Sequence, residues 1–368
     1  MPIRMKAAVT HGVNQRMVVE EVELAEPRHG ELLVQIMASG VCASDVNALD
    51  GKRNLVPFPA ILGHEASGVV ISTGPDVTTF TAGDHVVVSI VPSCGHCKFC
   101  AMGKPNFCIT AGNAMSAGGL FDKESLLTLD GQRLNHFLCV SSFAEYAVVP
   151  ASGAVRIPKE MPLDRAALIS CAVLTGYGAV VHTAKVTQGS RVAVFGCGGV
   201  GLNIIQGARL AGAKEIIAVD ISGEKLDLAK TVGATYGVNA TSEDPVAAIR
   251  EYVGGCDFVF EASGREDTVR QAWLTVDAFG SLTLVGLMKS GTQLTIAADP
   301  FVNEQLIQGC YFGSSHLTSD VPDLVNMYMS GDLLLDEVIS DRISLDQIND
   351  AFDQLKAGEG ARSVLVFD

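Results

Sequence analysis

Four cysteines stand close together in a short, turn-rich stretch. They follow the spacing C-x2-C-x2-C-x7-C, as Cys94, Cys97, Cys100 and Cys108. Four thiolates can enclose zinc in a closed tetrahedron that folds a short lobe. Iron–sulfur clusters use the same ligands, so the spacing leaves the metal open. We expect His96, which lies inside the loop, to be exposed, because four sulfurs complete the shell. The pattern predicts a structural metal lobe at about 93–110.

Four further residues, at three separate places in the chain, have the right chemistry for a second metal. Cys42, the pair His64 and Glu65, and Cys171 are these residues. Two sulfurs and one imidazole would leave a coordination position open, as catalytic zinc requires. Taken singly, Cys42, Cys171 and His64 are better explained as buried core residues than as ligands. Spacing alone therefore does not bring them together.

A glycine-rich turn follows the apolar strand predicted at 191–195. It reads Gly196-Cys197-Gly198-Gly199-Val200-Gly201 and opens an apolar helical stretch. This order of strand, turn and helix is typical of dinucleotide binding, because glycines let a pyrophosphate approach the helix N-terminus. Asp220, at the end of the next strand, can accept from a ribose diol and favours NAD over NADP. Lys225 is nearby and can equally bond a ribose hydroxyl.

The predicted secondary-structure elements that must position these groups follow two different patterns along the chain. Short strands separated by turns predict a mostly β region up to about residue 150. From about 173, apolar strands alternate with helix-length segments, which indicates a parallel α/β sheet. Helical patterns at 322–331 and 345–357 and a strand at 363–367 close the chain.

Composition limits the classes of protein. With 368 residues, 48% of them hydrophobic, two or three domains are expected. The formal charge of −15 has the wrong sign for nucleic acid or an anionic membrane surface. We see no signal stretch and no run of 18 apolar residues. Together with clustered cysteines, this predicts a soluble, cytoplasmic protein.

Taken in order, the motifs resemble those of the zinc-containing medium-chain alcohol dehydrogenases over essentially the whole chain. The matching segments are 40–45, 63–77, 83–86, the four-cysteine loop, 175–178 and the glycine turn with Asp220. The resemblance implies a GroES-like, β-rich catalytic domain at 1–172. It also implies an inserted Rossmann domain, a doubly wound parallel sheet, at 173–312, and a return to the catalytic domain at 313–368.

The same resemblance implies two zinc ions per subunit and assigns roles to individual residues. Cys42, His64 and Cys171 would hold the catalytic zinc, with Glu65 as an occasional ligand, and the four-cysteine loop the structural zinc. Asp45 would orient His64, and Ser44 would be the first proton carrier. Thr175 and Arg362 match cofactor-binding positions, Arg362 at the pyrophosphate.

Two positions depart from the commonest family pattern. Asn47 stands where many relatives place a histidine at the outer end of the proton relay, so proton release is expected through water or another group. Ala43 stands where many relatives have a basic residue that reaches the cofactor phosphate. The glycine turn and Arg362 must then contribute more of the phosphate binding.

The implied activity is hydride transfer between an alcohol and NAD, giving an aldehyde or ketone. The segment His136-Phe137-Leu138 and Ile90 match pocket positions and predict a hydrophobic or aromatic primary alcohol. The hydroxymethyl adduct of a cellular thiol ranks second, because Arg133 is the only arginine in the loop from 109 to 137. A polyol dehydrogenase and a non-catalytic NAD-binding regulator are further alternatives. A homodimer is expected, with a tetramer possible.

Overall fold

The computed structural model describes residues 2–367. In this part of the chain the strands are β1 (Ile3–Thr10), β2 (Val18–Leu24), β3 (Glu31–Gly40), β4 (Ala60–Ile61), β5 (Glu65–Thr73), β6 (His85–Val88), β7 (Leu127–Leu129), β8 (Gln132–His136), β9 (Tyr146–Pro150), β10 (Ala154–Ile157), β11 (Arg191–Phe195), β12 (Glu215–Asp220), β13 (Tyr236–Asn239), β14 (Cys256–Glu261), β15 (Val276–Leu284), β16 (Leu306–Gly309), β17 (Asp341–Ile343) and β18 (Ser363–Val366). The α-helices are α1 (Ala43–Leu49), α2 (Lys98–Ala101), α3 (Ile109–Ala117), α4 (Leu163–Leu168), α5 (Leu174–Gly178), α6 (Gly199–Leu210), α7 (Gly223–Thr231), α8 (Pro245–Val253), α9 (Glu266–Thr275), α10 (Leu317–Met329) and α11 (Ile348–Ala357).

The chain forms two compact units. The first contains 1–171, 316–330 and 339–368, and the second contains 172–315 and 331–338. These limits differ by one to three residues from the predicted boundaries. The larger difference is the segment 331–338, which we expected in the first unit.

Hydrogen bonds explain why 331–338 belongs to the second unit. The buried Gln206 side chain of α6 accepts from the Leu334 N–H at 2.7 Å and donates to the Leu334 carbonyl at 3.0 Å. Arg209, one turn further along α6, donates to the Asp332 carbonyl. Side chains of helix α6 thus bond the backbone of this segment and hold it to the second unit. No local pattern in 331–338 reveals these contacts.

The first unit is β-rich, as predicted. Five strands close a barrel in the order β1-β2-β7-β8-β4. A second sheet has the order β10-β6-β5-β3-β18-β17, and β9 also pairs with β3. Because β18 pairs antiparallel with β3, with Val364 opposite Gly40, the C-terminal return lies beside the segment that leads to Cys42.

The second unit contains a parallel sheet in the order β13-β12-β11-β14-β15-β16. Its central strands are buried and rich in Val, Ile and Phe, as expected when helices cover both faces. Trp273 of α9 is fully buried in this core and donates to the Ala297 carbonyl at 2.8 Å. The strand order reverses between β11 and β14, and dinucleotides bind at such a point.

One helical run, Leu163–Ala184, is long and apolar enough to cross a membrane. It combines α4 and α5 with two wider, π-helical stretches, Ile169–Val173 and Ala179–Ala184. Of its most apolar window, 72% is buried inside the structure, which is the behaviour of a core helix. The first π-helical stretch contains Cys171, and such stretches occur frequently at functional sites.

Candidate active site

The dispersed residues come together in the first unit. One ligand atom from each of Cys42, His64, Glu65 and Cys171 lies within 4.8 Å of the others, and all four residues are buried. Cys42 directly precedes α1, and His64 directly precedes Glu65, which begins β5. Cys171 lies on the π-helical stretch. Pairing of β3 with β5, with Gly40 opposite Glu65, brings the first three together.

Asp45 organises this cluster from the first turn of α1. Its fully buried carboxylate accepts from the Cys42 N–H at 3.0 Å and from the Gly63 N–H at 3.1 Å. It also bonds the His64 ring at Nδ1, at 3.0 Å. Since a carboxylate can only accept, Nδ1 carries the proton and Nε2 faces the cluster with a lone pair.

The electrostatics of the cluster favour a bound cation. Burial raises the pKa of Glu65 to about 8, although the Arg362 guanidinium opposes this rise. A hydrogen bond from Cys171 holds the pKa of the Cys42 thiol well below its ordinary value. Burial opposes a charged His64 ring, but Asp45 and Cys42 together raise its pKa. The site thus gathers acidic groups where water is excluded.

The residues fit zinc. His64 Nε2 and Glu65 Oε2 are buried, and in the described part of the chain neither has a hydrogen-bond partner. Unpaired buried polar atoms are costly, and a metal ion would satisfy both. Zinc accepts two sulfurs, an imidazole nitrogen and a carboxylate oxygen as ligands. Its bonds to such atoms are generally about 2.0–2.3 Å long, within about 0.2 Å.

Arg362 lies beside the cluster, in a different setting from the one predicted. Its guanidinium, buried with the cluster, donates to the Val41 carbonyl at 2.8 Å and pairs with Glu65 at 2.9 Å. Breaking a buried ion pair of this kind costs about 3–5 kcal/mol. Arg362 Nε has no partner among the described residues, and the side chain borders a small cavity. Its contact with the cofactor pyrophosphate remains a prediction.

Phe137 forms an apolar wall of the cluster. The ring is fully buried and stands edge-on to the His64 ring, with centroids 5.6 Å apart at 73°. The neighbouring His136 faces elsewhere, because its Nε2 accepts from the Leu126 N–H at 3.4 Å. Burial lowers the pKa of His136 to about 3, so this ring is neutral. Among the predicted pocket residues, Phe137 thus contacts a predicted metal ligand.

Ile90 and Ser44 are the remaining predicted residues near the cluster. Ser89 Oγ donates to the Ser170 carbonyl at 3.0 Å, which places the buried Ile90 next to the segment that bears Cys171. Ser44 is half-buried in the first turn of α1, between Ala43 and Asp45. Its role in proton transfer remains a prediction.

The four-cysteine loop forms a second candidate metal centre. The sulfurs of Cys94, Cys97, Cys100 and Cys108 lie within 4.8 Å of one another. The Cys94 N–H donates to Cys108 Sγ at 3.3 Å, and a hydrogen bond from the Thr110 side chain lowers the pKa of Cys94 to about 5. His96 is exposed and lies outside this group, as expected. Four sulfurs in a closed set fit structural zinc.

The glycine turn of the second unit has the geometry of a phosphate site. Gly196 has a φ of +96°, and a Cβ on Gly201 would overlap the Gly196 carbonyl oxygen, so both positions require glycine. By contrast, no described atom lies within 4 Å of a Cβ built on Gly198, which leaves room for a ligand at the start of α6. Gly199 and Val200 form the first turn of that helix.

Asp220 and its neighbours border this turn. The Asp220 carboxylate accepts from the Cys197 N–H at 2.7 Å and from the Ile221 and Ser222 N–H groups at 2.8 and 3.0 Å. Asp220 thereby ties the end of β12 to the glycine turn. Lys225 lies half-buried in the next helix, and Thr175 is nearly buried in α5.

Changing Asp45 to asparagine is expected to lower zinc affinity at the catalytic site about 10- to 100-fold, the usual range for residues that orient metal ligands. The asparagine NH2 group would face N–H donors that now bond a carboxylate. Competition with a chelator measures the change. Asp50→Asn is the matched control, because Asp50 pairs with Lys52 and Lys356 at the other end of α1. Equal zinc affinity in both variants would contradict the role of Asp45.

Comparisons with known proteins identify the family to which this fold belongs. Residues 28–159 match the Alcohol dehydrogenase GroES-like domain family, and residues 199–330 match the Zinc-binding dehydrogenase family. The chain is 39% identical to "Alcohol dehydrogenase class-3" of Drosophila melanogaster, covering 99% of this chain and 98% of that one. It is 36% identical to "S-(hydroxymethyl)glutathione dehydrogenase" of Paracoccus denitrificans, covering 99% and 100%.

The solved structure of benzyl alcohol dehydrogenase from Acinetobacter calcoaceticus superimposes with a TM-score of 0.94 at 32% identity, over the full length of both chains. The β-rich first unit and the parallel sheet of the second are therefore shared features of one family. The chain belongs to the zinc-containing medium-chain alcohol dehydrogenases, enzymes that use zinc and NAD.

Proposed function

We propose that this enzyme oxidises a hydrophobic, preferably aromatic, primary alcohol to the aldehyde, with Cys42, His64 and Cys171 holding the catalytic zinc. The observation that supports this most is Phe137, fully buried and edge-on to His64. An aromatic ring next to the reactive centre favours an aromatic substrate, because aromatic pairs gain about 0.5–1.5 kcal/mol beyond burial. The similarity to a benzyl alcohol dehydrogenase supports the same substrate class.

Zinc and NAD, when bound, supply the Lewis acid and the hydride acceptor of this reaction. The chain's own residues position them. Asp45 fixes the His64 tautomer, and the Arg362 ion pair holds Glu65 at the cluster. Ser44 is the proposed acceptor of the alcohol proton. Asn47 does not titrate, so the proton leaves through water or another group.

The cofactor is proposed to lie on the glycine turn. Open space above Gly198 and the free N–H groups at the start of α6 suit its pyrophosphate, and Asp220 suits the adenosine ribose diol. A 2′-phosphate would meet the Asp220 charge, which favours NAD over NADP. Lys225, Thr175 and Arg362 complete the proposed set.

A second candidate substrate is the hydroxymethyl adduct of glutathione, because one relative is named for it. An anionic substrate of this kind needs a free cation near the site. Arg133 does not provide one, since its guanidinium donates to Asn135, Glu124 and the carbonyls of residues 117, 118 and 123. The aromatic alcohol therefore ranks first.

The test is NAD and NADP reduction, followed by absorbance, with aromatic, aliphatic and polyol alcohols and with the glutathione adduct. We expect kcat/KM for aromatic primary alcohols to exceed that for short aliphatic alcohols by at least about 10-fold, as one well-filled pocket can provide. Phe137→Ala should reduce this preference, and Phe99→Ala, in the four-cysteine lobe, should not. A higher kcat/KM for the glutathione adduct would overturn the proposal.

We further propose a homodimer formed through the edge strand β16. In the described part of the chain β16 pairs on one side only, with β15. Leu306 on this strand and Phe301 and Val302 before it are exposed apolar residues. Open edges flanked by apolar side chains favour pairing with a second copy, and a two-fold axis would pair the two edges antiparallel.

Combining Val302→Lys with Leu306→Lys is expected to convert this dimer to monomers, because the two copies would then bring like charges together and bury them on pairing. Light scattering after size-exclusion chromatography measures the mass. Val13→Glu, an exposed apolar position of the first unit, is the control. A monomeric wild type, or a double variant that stays dimeric, would contradict this interface.

The ten cysteines are all unpaired in the structure. Unpaired thiols are typical of a reducing compartment, which supports a cytoplasmic location.

A further inference from the structure

Glu261 is a buried carboxylate to which the chemistry of the reaction assigns no role. It ends β14, between Phe195 of β11 and Leu284 of β15 in the sheet. Its side chain is fully buried, and in the described part of the chain no cation pairs with it. A buried anion without a counterion is costly unless many donors satisfy it.

The donors come from the loop that follows β14 and from the first turn of α9. Glu261 Oε1 accepts from the Ser263 N–H at 2.9 Å, the Gly264 N–H at 2.9 Å and Thr268 Oγ1 at 3.1 Å. Ser263 Oγ donates to the same oxygen, and the Gly264 N–H also approaches Oε2 at 3.1 Å. The carboxylate therefore fixes the backbone of 262–264 and the start of α9.

The Glu261 backbone fixes a second loop. Its carbonyl accepts from the N–H groups of Val285 and Gly286, both at 2.8 Å. A Cβ on Gly286 would overlap the Gly264 nitrogen, so the loops after β14 and β15 are in direct contact. One residue thus joins both loops at the carboxyl edge of the sheet.

This joined pair of loops borders the glycine turn. A Cβ on Gly196 would lie 3.0 Å from the Ser263 nitrogen, and the Ala262 N–H donates to the Phe195 carbonyl at 2.8 Å. The backbone of 262–264 is therefore one wall of the edge at which dinucleotides bind in such folds.

We propose that Glu261 is a positioning residue for NAD: its carboxylate holds the 262–264 wall in the conformation that binds the cofactor. It acts through the backbone, without touching the reacting atoms. Its loss therefore weakens cofactor binding and leaves the chemical step nearly unchanged. The inference rests on the proposed NAD site at the glycine turn.

The test compares Glu261→Gln with Asp257→Asn. Both changes replace a carboxylate by its amide on β14, but Asp257 lies at the opposite end of the strand, where it pairs with Arg191 at 2.6 Å. Kd for NADH is measured by titration of the zinc-loaded enzyme, together with kcat, KM for NAD and Tm. In Glu261→Gln an NH2 group faces the Gly264 donor. We expect the Kd for NADH and the KM for NAD each to rise about 10-fold, with kcat changed less than about 3-fold.

Asp257→Asn is expected to lower Tm and leave Kd unchanged. Thr268→Val removes a donor to Glu261 instead and is expected to raise the Kd for NADH as well. It provides the test if Glu261→Gln does not fold. A wild type that fails to bind NADH would refute the proposed cofactor site, and with it this inference. Normal binding by the wild type, with unchanged Kd in both Glu261→Gln and Thr268→Val, would overturn the role of Glu261 alone.

Discussion

Replacing Cys171 by alanine is expected to lower kcat/KM for the best alcohol by more than about 1000-fold, equivalent to about 4 kcal/mol of transition-state stabilisation. Cys171 supplies one of the two sulfurs of the buried cluster from the π-helical stretch Ile169–Val173, and an alanine side chain has no donor atom to replace it. Without Cys171, Asp45 still bonds the Cys42 backbone and the His64 ring. The two sulfurs and one imidazole that fit zinc are, however, no longer complete. Zinc content should fall from two ions per subunit to one.

Metal analysis and steady-state kinetics on the same preparation measure both effects. Cys256→Ala is the matched control, because Cys256 is a fully buried free cysteine in the second unit, outside both clusters. It should retain two zinc ions and turnover. If Cys171→Ala also retained two ions and normal kcat/KM, the proposed catalytic centre would be wrong.

Replacing Gly201 by valine is expected to raise Kd for NADH by more than about 100-fold, while zinc content stays at two. The added side chain would overlap the Gly196 carbonyl oxygen, so the turn must open and its N–H groups must leave their positions at the start of α6. A displacement of this size removes several charge-assisted hydrogen bonds to the pyrophosphate, each worth about 1.5–3 kcal/mol.

Gly112→Ala is the control for adding a side chain to a helical glycine, because no described atom lies within 4 Å of the new Cβ in α3. It should bind NADH like the wild type. A Gly201→Val enzyme that is folded, contains zinc and binds NADH normally would show that the turn is not the cofactor site.

The sites whose residues are contiguous could be predicted from the sequence. The four-cysteine loop and the glycine turn are defined by local spacing. In the structure the four sulfurs lie together, and Gly196 and Gly201 form the tight turn that the spacing indicates. The parallel sheet was also predictable, since strands buried on both faces are apolar throughout. The edge strand β16 was missed, because its half-exposed sequence Leu306–Gly309 lacks that signature.

The dispersed catalytic cluster required the resemblance. Pairing of β3 with β5 and the path of the Leu163–Ala184 helix bring Cys42, His64 and Cys171 together, and neither is visible in local periodicity. The Arg362 ion pair was missed for the same reason, since its partner Glu65 is 297 positions away. The donors around Glu261 are local, and a glutamate at the end of an apolar strand, followed by Ser263 and Gly264, is a usable signal for them.

The ion pair between Glu65 and Arg362 can form only late in the synthesis of the chain. The two residues are 297 positions apart, so the ribosome must add most of the chain after Glu65 before its partner exists. The four cysteines of the lobe, by contrast, emerge within a span of fifteen residues, from Cys94 to Cys108. A nascent chain can therefore close the structural centre early, whereas the catalytic centre gains its charge balance only once β18 has been made and paired with β3.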